Sequence, residues 1–405
     1  MLHIKPYQAR EIKKKMSSWI REKIFLGKTF SEYLAEHKNP MFILAFIILC
    51  LSFYSMAYRL IYGLGPATNL SDTYPWGLWI SFDILVGIAL AAPGLTVATA
   101  VYLFGLKDYK KFAKPAVLSS LIGYVFAVFA LMFDLGRYYR VFYVIGWSWG
   151  LSSVLFLIAW HFFLYIIICF VEWSPAFFKW LGLNRLRDYF SKLGVWATAL
   201  GVIIAGGHQS ALGALFLVAS NKMHPLWYSS LLPIFFLGSA IFAGISMVIL
   251  ESTIAHKIFK NLVKDFDDVE FNKRTIGLGK ALFVILCAYL ILKLLDITHY
   301  NNWHYLITPY GYWYMFEILG FVFIPVILLA FAVKENNTKL VRVSALLVVL
   351  GVILNRVNVS LIAYNWYIPL SEKYYPTWME VSLSAGIVTM IILSYRFIVR
   401  RMEIL

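Results

Sequence analysis

Ten apolar runs, at about 41–63, 76–104, 117–135, 148–171, 195–219, 231–254, 277–297, 312–333, 340–362 and 378–398, alternate with short polar stretches. Each is near the roughly 20 residues that a helix needs to cross a bilayer. The pattern predicts an all-α, polytopic bundle of ten transmembrane helices, one domain over residues 41–398. Residues 1–40 precede it as a basic lead with Lys13-Lys14-Lys15, and 399–405 follow as a short tail. In the lead, Trp19, Ile20, Ile24 and Phe25 would line an amphipathic interfacial helix; a solvated charged tail fits equally well. The charged stretch 256–275 reads as a mobile linker. A long polar lead is not the short basic start and apolar core of a signal peptide, so none is expected.

The basic residues set an orientation. Lys107, Lys110, Lys111 and Lys114 fall in one inter-span stretch, Lys179, Arg185, Arg187 and Lys192 in the next but one, and Lys257, Lys260, Lys264, Lys273 and Arg274 in the next but one again. The alternate stretches carry few, and 64–75 and 298–312 carry none. Lys and Arg accumulate on the cytoplasmic side, so both termini are expected there. The net charge of +15 is a membrane-topology signal on this reading, and nucleic acid is not an expected partner.

With 61% hydrophobic and 14% charged residues, a soluble domain is excluded. Three scattered cysteines, Cys50, Cys169 and Cys287, offer no disulfide framework and no metal pair. The informative residues are the polar ones inside the apolar runs. Asp83 follows Tyr74-Pro75-Trp76-Gly77-Leu78-Trp79, with Pro75 expected in a first helical turn. A charge at that depth costs roughly 2.5–3.5 kcal/mol on insertion scales, a cost the span can carry but a structural role seldom requires. By the predicted orientation, Arg59, Asp83, Asp134, Arg137, Lys293, Asp296, Glu317, Arg356, Asn358 and Glu380 gather toward the outer face. That points to a polar pocket opening outward, with a structural salt-bridge network locking the bundle as the alternative; Arg59, Asp296 and Glu380 read as interfacial anchors, and Asp83, His208 and Arg356 as functional groups.

His208 sits between Gly206-Gly207 and Gln209-Ser210, small neighbours that admit a close helix or a ligand. His161 and His208 on adjacent spans leave a single-haem cytochrome as one alternative. A secondary transporter is another, although midplane charges and inverted repeats are not evident. There is no P-loop, dinucleotide fingerprint or iron–sulfur cysteine set.

Tyr74-Pro-Trp-Gly-Leu-Trp-Ile-Ser-Phe-Asp83, Asp134-Leu-Gly-Arg137, His208-Gln-Ser-Ala-Leu-Gly213, Met223-His-Pro-Leu-Trp227 and Pro376-Thr-Trp-Met-Glu380 together resemble the NrfD family, the membrane subunits of polysulfide reductase and its relatives. The similarity is closest to the HybB-type hydrogenase membrane subunits and related menaquinone reductase subunits. One departure is Leu157, where the hydrogenase branch is expected to carry a Glu. The resemblance implies a haem-free, metal-free subunit of an inner-membrane respiratory complex, not catalytic alone. It would bind menaquinone near the outer face and dock a periplasmic iron–sulfur, ferredoxin-like subunit. The catalytic partner would be a nickel–iron hydrogenase or a multihaem cytochrome c-linked module. Asp83 and His208 are then the candidate proton-donating groups. Trp79, Asp134, Arg137, Gln209, Arg356 and Asn358 are candidates to bind the quinone, with Arg356 or Arg137 pairing Asp83 or Asp134. Tyr124, Ser246 and Glu251 are a candidate proton path from the cytoplasm.

Overall fold

A computed structural model of the chain describes residues 17–259 and 267–404. It contains ten helices long and apolar enough to cross a membrane: α1 (Pro40–Tyr62), α2 (Trp79–Leu103), α3 (Lys107–Asp134), α4 (Val154–Leu181), α5 (Asn184–Lys222), α6 (Leu232–Ile258), α7 (Asp268–His299), α8 (Pro309–Lys334), α9 (Thr338–Ile362) and α10 (Trp378–Val399). The sequence-predicted runs correspond to these ten. Several begin where the sequence supplies a cap. Asn39 accepts the Phe42 N–H ahead of Pro40, Thr308 accepts the Gly311 N–H ahead of Pro309, and Thr377 and Glu380 bond each other's backbone N–H as a capping box.

Helices α2 and α6 form the centre, with 72% and 67% of their most apolar windows buried, against 17% for α1 and 22% for α10. α2 packs against α3, α6, α9 and α10, and α1 pairs with α10 at the flank. Close approach to α2 depends on two glycines. A Cβ on Gly123 of α3 would lie 2.6 Å from Ala91 Cβ, and one on Gly244 of α6 would lie 2.7 Å from the Ala92 carbonyl oxygen. Small residues are what membrane helices use to bring backbones together.

α2 is not a continuous helix. It opens as a π segment (Trp79–Val86), breaks at Ala91–Ala92 before Pro93, and ends in a second π segment (Thr99–Leu103). Pro93 has no N–H to continue the ladder, and freed backbone groups inside a bilayer need partners. Gln209 Nε2 donates to the Ile88 carbonyl at 2.9 Å, and the Gly94 N–H donates to Ser120 Oγ at 2.8 Å. Pro75 lies outside the helix, in the irregular stretch before it, and so does not form the first turn expected from sequence. Further π segments fall at Leu319–Phe323 and Asn358–Ile362.

The segments 63–78, 223–231, 300–308 and 363–377 knit together at one end of the bundle, here the loop end. His224 N–H bonds the Ala363 carbonyl at 2.9 Å, Asn365 N–H the Lys222 carbonyl at 2.7 Å, and Asn69 Nδ2 the Tyr375 carbonyl at 2.9 Å. At the opposite, lysine-rich end, Trp19 packs edge-on against Trp180 at 5.5 Å, and Arg401 bonds the Ile24 carbonyl and, at 3.1 Å, Tyr33 Oη. The described part of the lead is therefore docked on the bundle by both rings and hydrogen bonds. Lys13-Lys14-Lys15 lies outside the described residues. The stretch expected to be a mobile linker is helical on both flanks, α6 reaching Ile258 and α7 starting at Asp268; 260–266 lie outside the described residues.

Candidate functional site

The polar residues expected to share one pocket fall into three buried clusters. In the first, the π segment of α2 faces α10. Ser384 Oγ donates to Asp83 Oδ2 at 2.7 Å, and Trp79 Nε1 donates to the Glu380 carbonyl at 3.2 Å. Both pairs are four residues apart, so the two helices match turn for turn. Asp83 is buried and its Oδ1 has no partner, as is also true of Asp134 Oδ1 at the end of α3. Arg59 donates to the Phe133 and Leu135 carbonyls at 2.7 and 2.6 Å.

The second cluster lies between α3, α4 and α5. The Tyr124 hydroxyl and His208 Nε2 form a short hydrogen bond, and the imidazole is enclosed by the rings of Tyr124, Phe162 and Tyr165 at 5.1–5.4 Å. His208 Nδ1 lies near the Ile204 carbonyl one turn earlier but without hydrogen-bond geometry. Gln209 reaches α2 and also approaches Tyr124 Oη at 3.4 Å. His161 Cε1 would lie 3.3 Å from a Cβ on Gly207, so this glycine gives the second imidazole its space.

The third cluster belongs to α6–α9. Glu317 accepts from Trp227 Nε1 at 2.9 Å, Asn355 Nδ2 at 2.7 Å and Asn358 Nδ2 at 2.6 Å. Arg356 donates to Asn355 Oδ1 at 3.0 Å, the Phe236 carbonyl at 3.1 Å and Ser239 Oγ at 2.7 Å, with its guanidinium 3.7 Å from the Phe236 ring centroid. Asn355 and Asn358 stand three positions apart, which puts both amides on one face of α9. That spacing in Asn355-Arg356-Val357-Asn358, and Trp227 closing its own motif, were the sequence signals for this cluster.

Several expectations are corrected. Neither Arg356 nor Arg137 pairs with Asp83 or Asp134: Arg356 is held by neutral acceptors in another cluster, and Arg137 is exposed in the turn after α3. Arg59, Asp296 and Glu380 are buried rather than anchored at an interface. Their partners are fixed polar groups, which buried charges require: two carbonyls for Arg59, Ser229 Oγ at 2.5 Å for Asp296, and the Asn69 and Thr377 N–H groups at 3.2 and 2.9 Å plus the Tyr374 hydroxyl for Glu380. Of the candidate proton path, Tyr124 meets His208. Ser246 Oγ bonds the Phe242 carbonyl of its own helix at 2.8 Å, and Glu251 accepts from Ser119 Oγ at 2.6 Å. Neither of these bonds leads to Tyr124.

A cavity of about 820 Å³ opens at the lysine-rich end, lined among others by Lys110, Glu172, Thr198, Arg274, Tyr395 and, at its inner reach, Gly94. Its lining includes none of the residues predicted to bind a quinone, but it adjoins the second cluster, which holds two of them, His208 and Gln209. Gly94 N–H bonds Ser120 Oγ, and a Cβ on Gly94 would lie 3.1 Å from Tyr165 Oη. Tyr165 in turn stacks edge-on with Tyr124 at 4.6 Å.

At the loop end, His224 is buried between Trp227, Tyr305, Tyr310 and Trp366, ring centroids 4.8–5.4 Å away. Its Nδ1 accepts the Leu226 N–H at 3.2 Å. Burial first, and the Lys373 charge second, hold its pKa down to about 4.

The NrfD family profile, described as polysulphide reductase, NrfD, matches residues 66–366. A protein of Nitratidesulfovibrio vulgaris strain Hildenborough is 44% identical over 367 residues, covering 91% of this chain and 95% of the relative. The probable Ni/Fe-hydrogenase 2 b-type cytochrome subunit of Escherichia coli strain K12 is 32% identical over 365 residues, covering 89% of this chain and 90% of the relative. The menaquinone reductase integral membrane subunit of Nitratidesulfovibrio vulgaris strain Hildenborough is 26% identical over 84% and 87%. Ten membrane-length helices and a family match that runs from α2 through α9 lead to one assignment: the chain belongs to the NrfD family, as a multi-pass inner-membrane subunit of the kind found in bacterial respiratory oxidoreductases.

Proposed function

We propose that this chain is the quinone-reactive membrane subunit of a respiratory complex, passing electrons from a periplasmic iron–sulfur partner to menaquinone near the loop end. The observation that carries the reading is the Asp83 carboxyl: buried in a π segment, bonded through Oδ2 and open at Oδ1. π segments in helices concentrate at functional sites, and a buried polar atom without a partner calls for one. The same end of the bundle holds the π segment of Asn358 and the one just after Glu317. A quinone supplies two carbonyl oxygens that accept hydrogen bonds, and takes up two electrons and two protons. Asp83, in its acid form, donates to such an oxygen from Oδ1 while Ser384 holds Oδ2. Trp79, fixed on the Glu380 carbonyl, walls the same side. His208 is the second proton-exchanging group, held by Tyr124. The menaquinone reductase relative favours this quinone.

Protons reach His208 from the lysine-rich end, which the Lys/Arg bias makes cytoplasmic. The cavity reaches Gly94, whose N–H bonds Ser120 Oγ and which borders the Tyr165 hydroxyl; internal water would carry the proton from there to Tyr124, which bonds His208. Of the candidate path, Tyr124 stays on this line, and Ser246 and Glu251 do not.

A single haem on His161 and His208 fits the site poorly. His208 Nε2 is engaged by Tyr124, and three aromatic rings occupy the space a porphyrin needs. The proposed subunit is therefore haem-free, despite the b-type cytochrome in one relative's name. Gentle purification of the tagged chain tests the reading. Co-purifying iron–sulfur and catalytic subunits with extractable menaquinone are expected, without absorbance bands of a b-type haem in this chain. A stoichiometric b-haem lost in both His161→Ala and His208→Ala would contradict it.

A further inference from the structure

We propose that the connector between α3 and α4, residues 137–151, is a membrane anchor at the loop end: its rings lie in the headgroup region of the leaflet there, and Arg137 and Arg140 bind phospholipid phosphates. This surface has no part in the quinone reading and is tested apart from it.

Between Leu135 and Ser153 the chain has two arginines and no carboxylate. Short helical turns cover Tyr138–Phe142 and Tyr143–Gly146. No residue from 136 to 153 is buried. Tyr139, Phe142, Trp147, Trp149 and Leu151 are each more than half exposed. A single exposed ring is ordinary, but so many in one short connector make an apolar patch, and such patches mark a membrane or a protein partner.

Two observations choose the membrane. First, the connector turns back beside α4. The Trp149 ring lies 5.9 Å from that of Phe156 and 5.1 Å from that of Trp160. Trp160 is six residues, about 9 Å, into α4 from Val154. Even with the N-terminal lean of helical side chains, that contact brings Trp149 down alongside the first turns of a spanning helix. Those turns also expose Leu155 and Leu157, so the patch runs on into the lipid-facing side of α4. Second, the connector stays out of the loop-end cap. It packs on the end of α3 and the start of α4. Among the described residues, no hydrogen bond joins 137–153 to the segments 63–78, 223–231, 300–308 or 363–377, which bond to one another. A subunit seated over the cap leaves this flank to lipid.

The chemistry suits a headgroup layer. Trp and Tyr carry an apolar ring with one polar edge and concentrate where acyl chains meet headgroups. An arginine fork matches the oxygens of a phosphate. Neither guanidinium has a hydrogen-bond or ion-pair partner among the described residues; that of Arg140 stands 5.6 Å from the Tyr143 ring centroid. No carboxylate in the connector competes for them.

The test places a fluorescent label on Ser148→Cys, which keeps every ring, in the full chain with Cys50→Ala and Cys287→Ala; Cys169 is buried. Asp72→Cys, exposed in the cap, is the water reference. Both chains are reconstituted in vesicles of phosphatidylethanolamine and phosphatidylglycerol, alone and with their partner subunits. The two labels share one end of the bundle, so mixed orientation affects both alike. Lipids spin-labelled near the headgroup should quench the Ser148→Cys label several-fold more than the reference, and aqueous iodide should do the reverse, with or without partners. Adding Arg137→Gln and Arg140→Gln should raise iodide access to the Ser148→Cys label by about twofold or more; unchanged access overturns the phosphate contact. Iodide quenching equal to that of the reference overturns the anchor. So does a label that lipid reaches in the isolated chain and that the partner subunits then shield, because the connector would be a protein-docking surface.

Discussion

Glu380 separates nearness to a membrane surface from exposure to it. By sequence it lies about a turn inside α10, where an anchoring carboxylate would sit in water; in the fold it is 1% exposed and accepts bonds from Asn69, Thr377 and Tyr374. Both Glu380 oxygens accept, Oε2 from two N–H groups that cannot reverse, so the Glu380→Gln amide must turn its NH2 toward the Tyr374 hydroxyl and lose the bond that hydroxyl donates. That substitution should cost about 1–3 kcal/mol of stability. Less assembled complex and a lower thermal midpoint are expected, with normal quinone turnover per surviving complex. His224 gives a pH dependence. Its folded pKa of about 4 lies below the unfolded value near 6.5, so the unfolded chain binds the extra proton first. The stability it contributes is complete above about pH 6.5 and is lost progressively as pH falls toward 4. His224→Phe should flatten the thermal midpoint over that window; an equal slope in the variant would remove His224 as its source. The sequence showed which side chains were too polar for their depth. It did not show their partners, because Asp83 meets Ser384 across 301 residues of chain and Arg356 meets Ser239 across 117.

Among the elements, α2 carries the largest difference between pattern and structure. Hydropathy averages over about twenty residues and reads 76–104 as one span, although Pro93 stood inside it as a legible warning. π segments have no hydropathy signature at all, since they alter the ladder and leave composition untouched. The break depends on Gln209 and Ser120. Gln209→Leu leaves the Ile88 carbonyl unpaired in the bundle core and should destabilise by about 1–3 kcal/mol. Gly94→Ala adds a Cβ 2.7 Å from Ser120 Oγ and should be at least as disruptive. Detergent-resistance or thermal-shift midpoints check both; a Gln209→Leu protein as stable as the original would mean that the broken segment closes its ladder another way. Helix ends were more legible, because Asn39-Pro40, Thr308-Pro309 and Thr377 with Glu380 are local signals.

For the whole molecule, ten spans and family membership were readable because they rest on length, composition and short motifs. The division of one imagined outer pocket into three clusters was not, because it depends on which helices become neighbours around α2. The Lys/Arg bias predicts that 64–75 and 298–312 face the periplasm, and single cysteines there should react with an impermeant thiol reagent in intact cells. Labelling of a cysteine in the 256–275 stretch from outside would reverse the orientation. The central claim is that Asp83 serves the quinone. Asp83→Asn keeps shape and an acceptor for Ser384 but cannot supply the acid proton. The measurement is menaquinone turnover by the assembled complex, normalised to its activity with a soluble dye at the catalytic subunit. The account predicts a drop of about tenfold or more, equivalent to about 1.4 kcal/mol on the barrier, with dye activity and assembly retained; normalised turnover equal to that of the unmodified complex would contradict it.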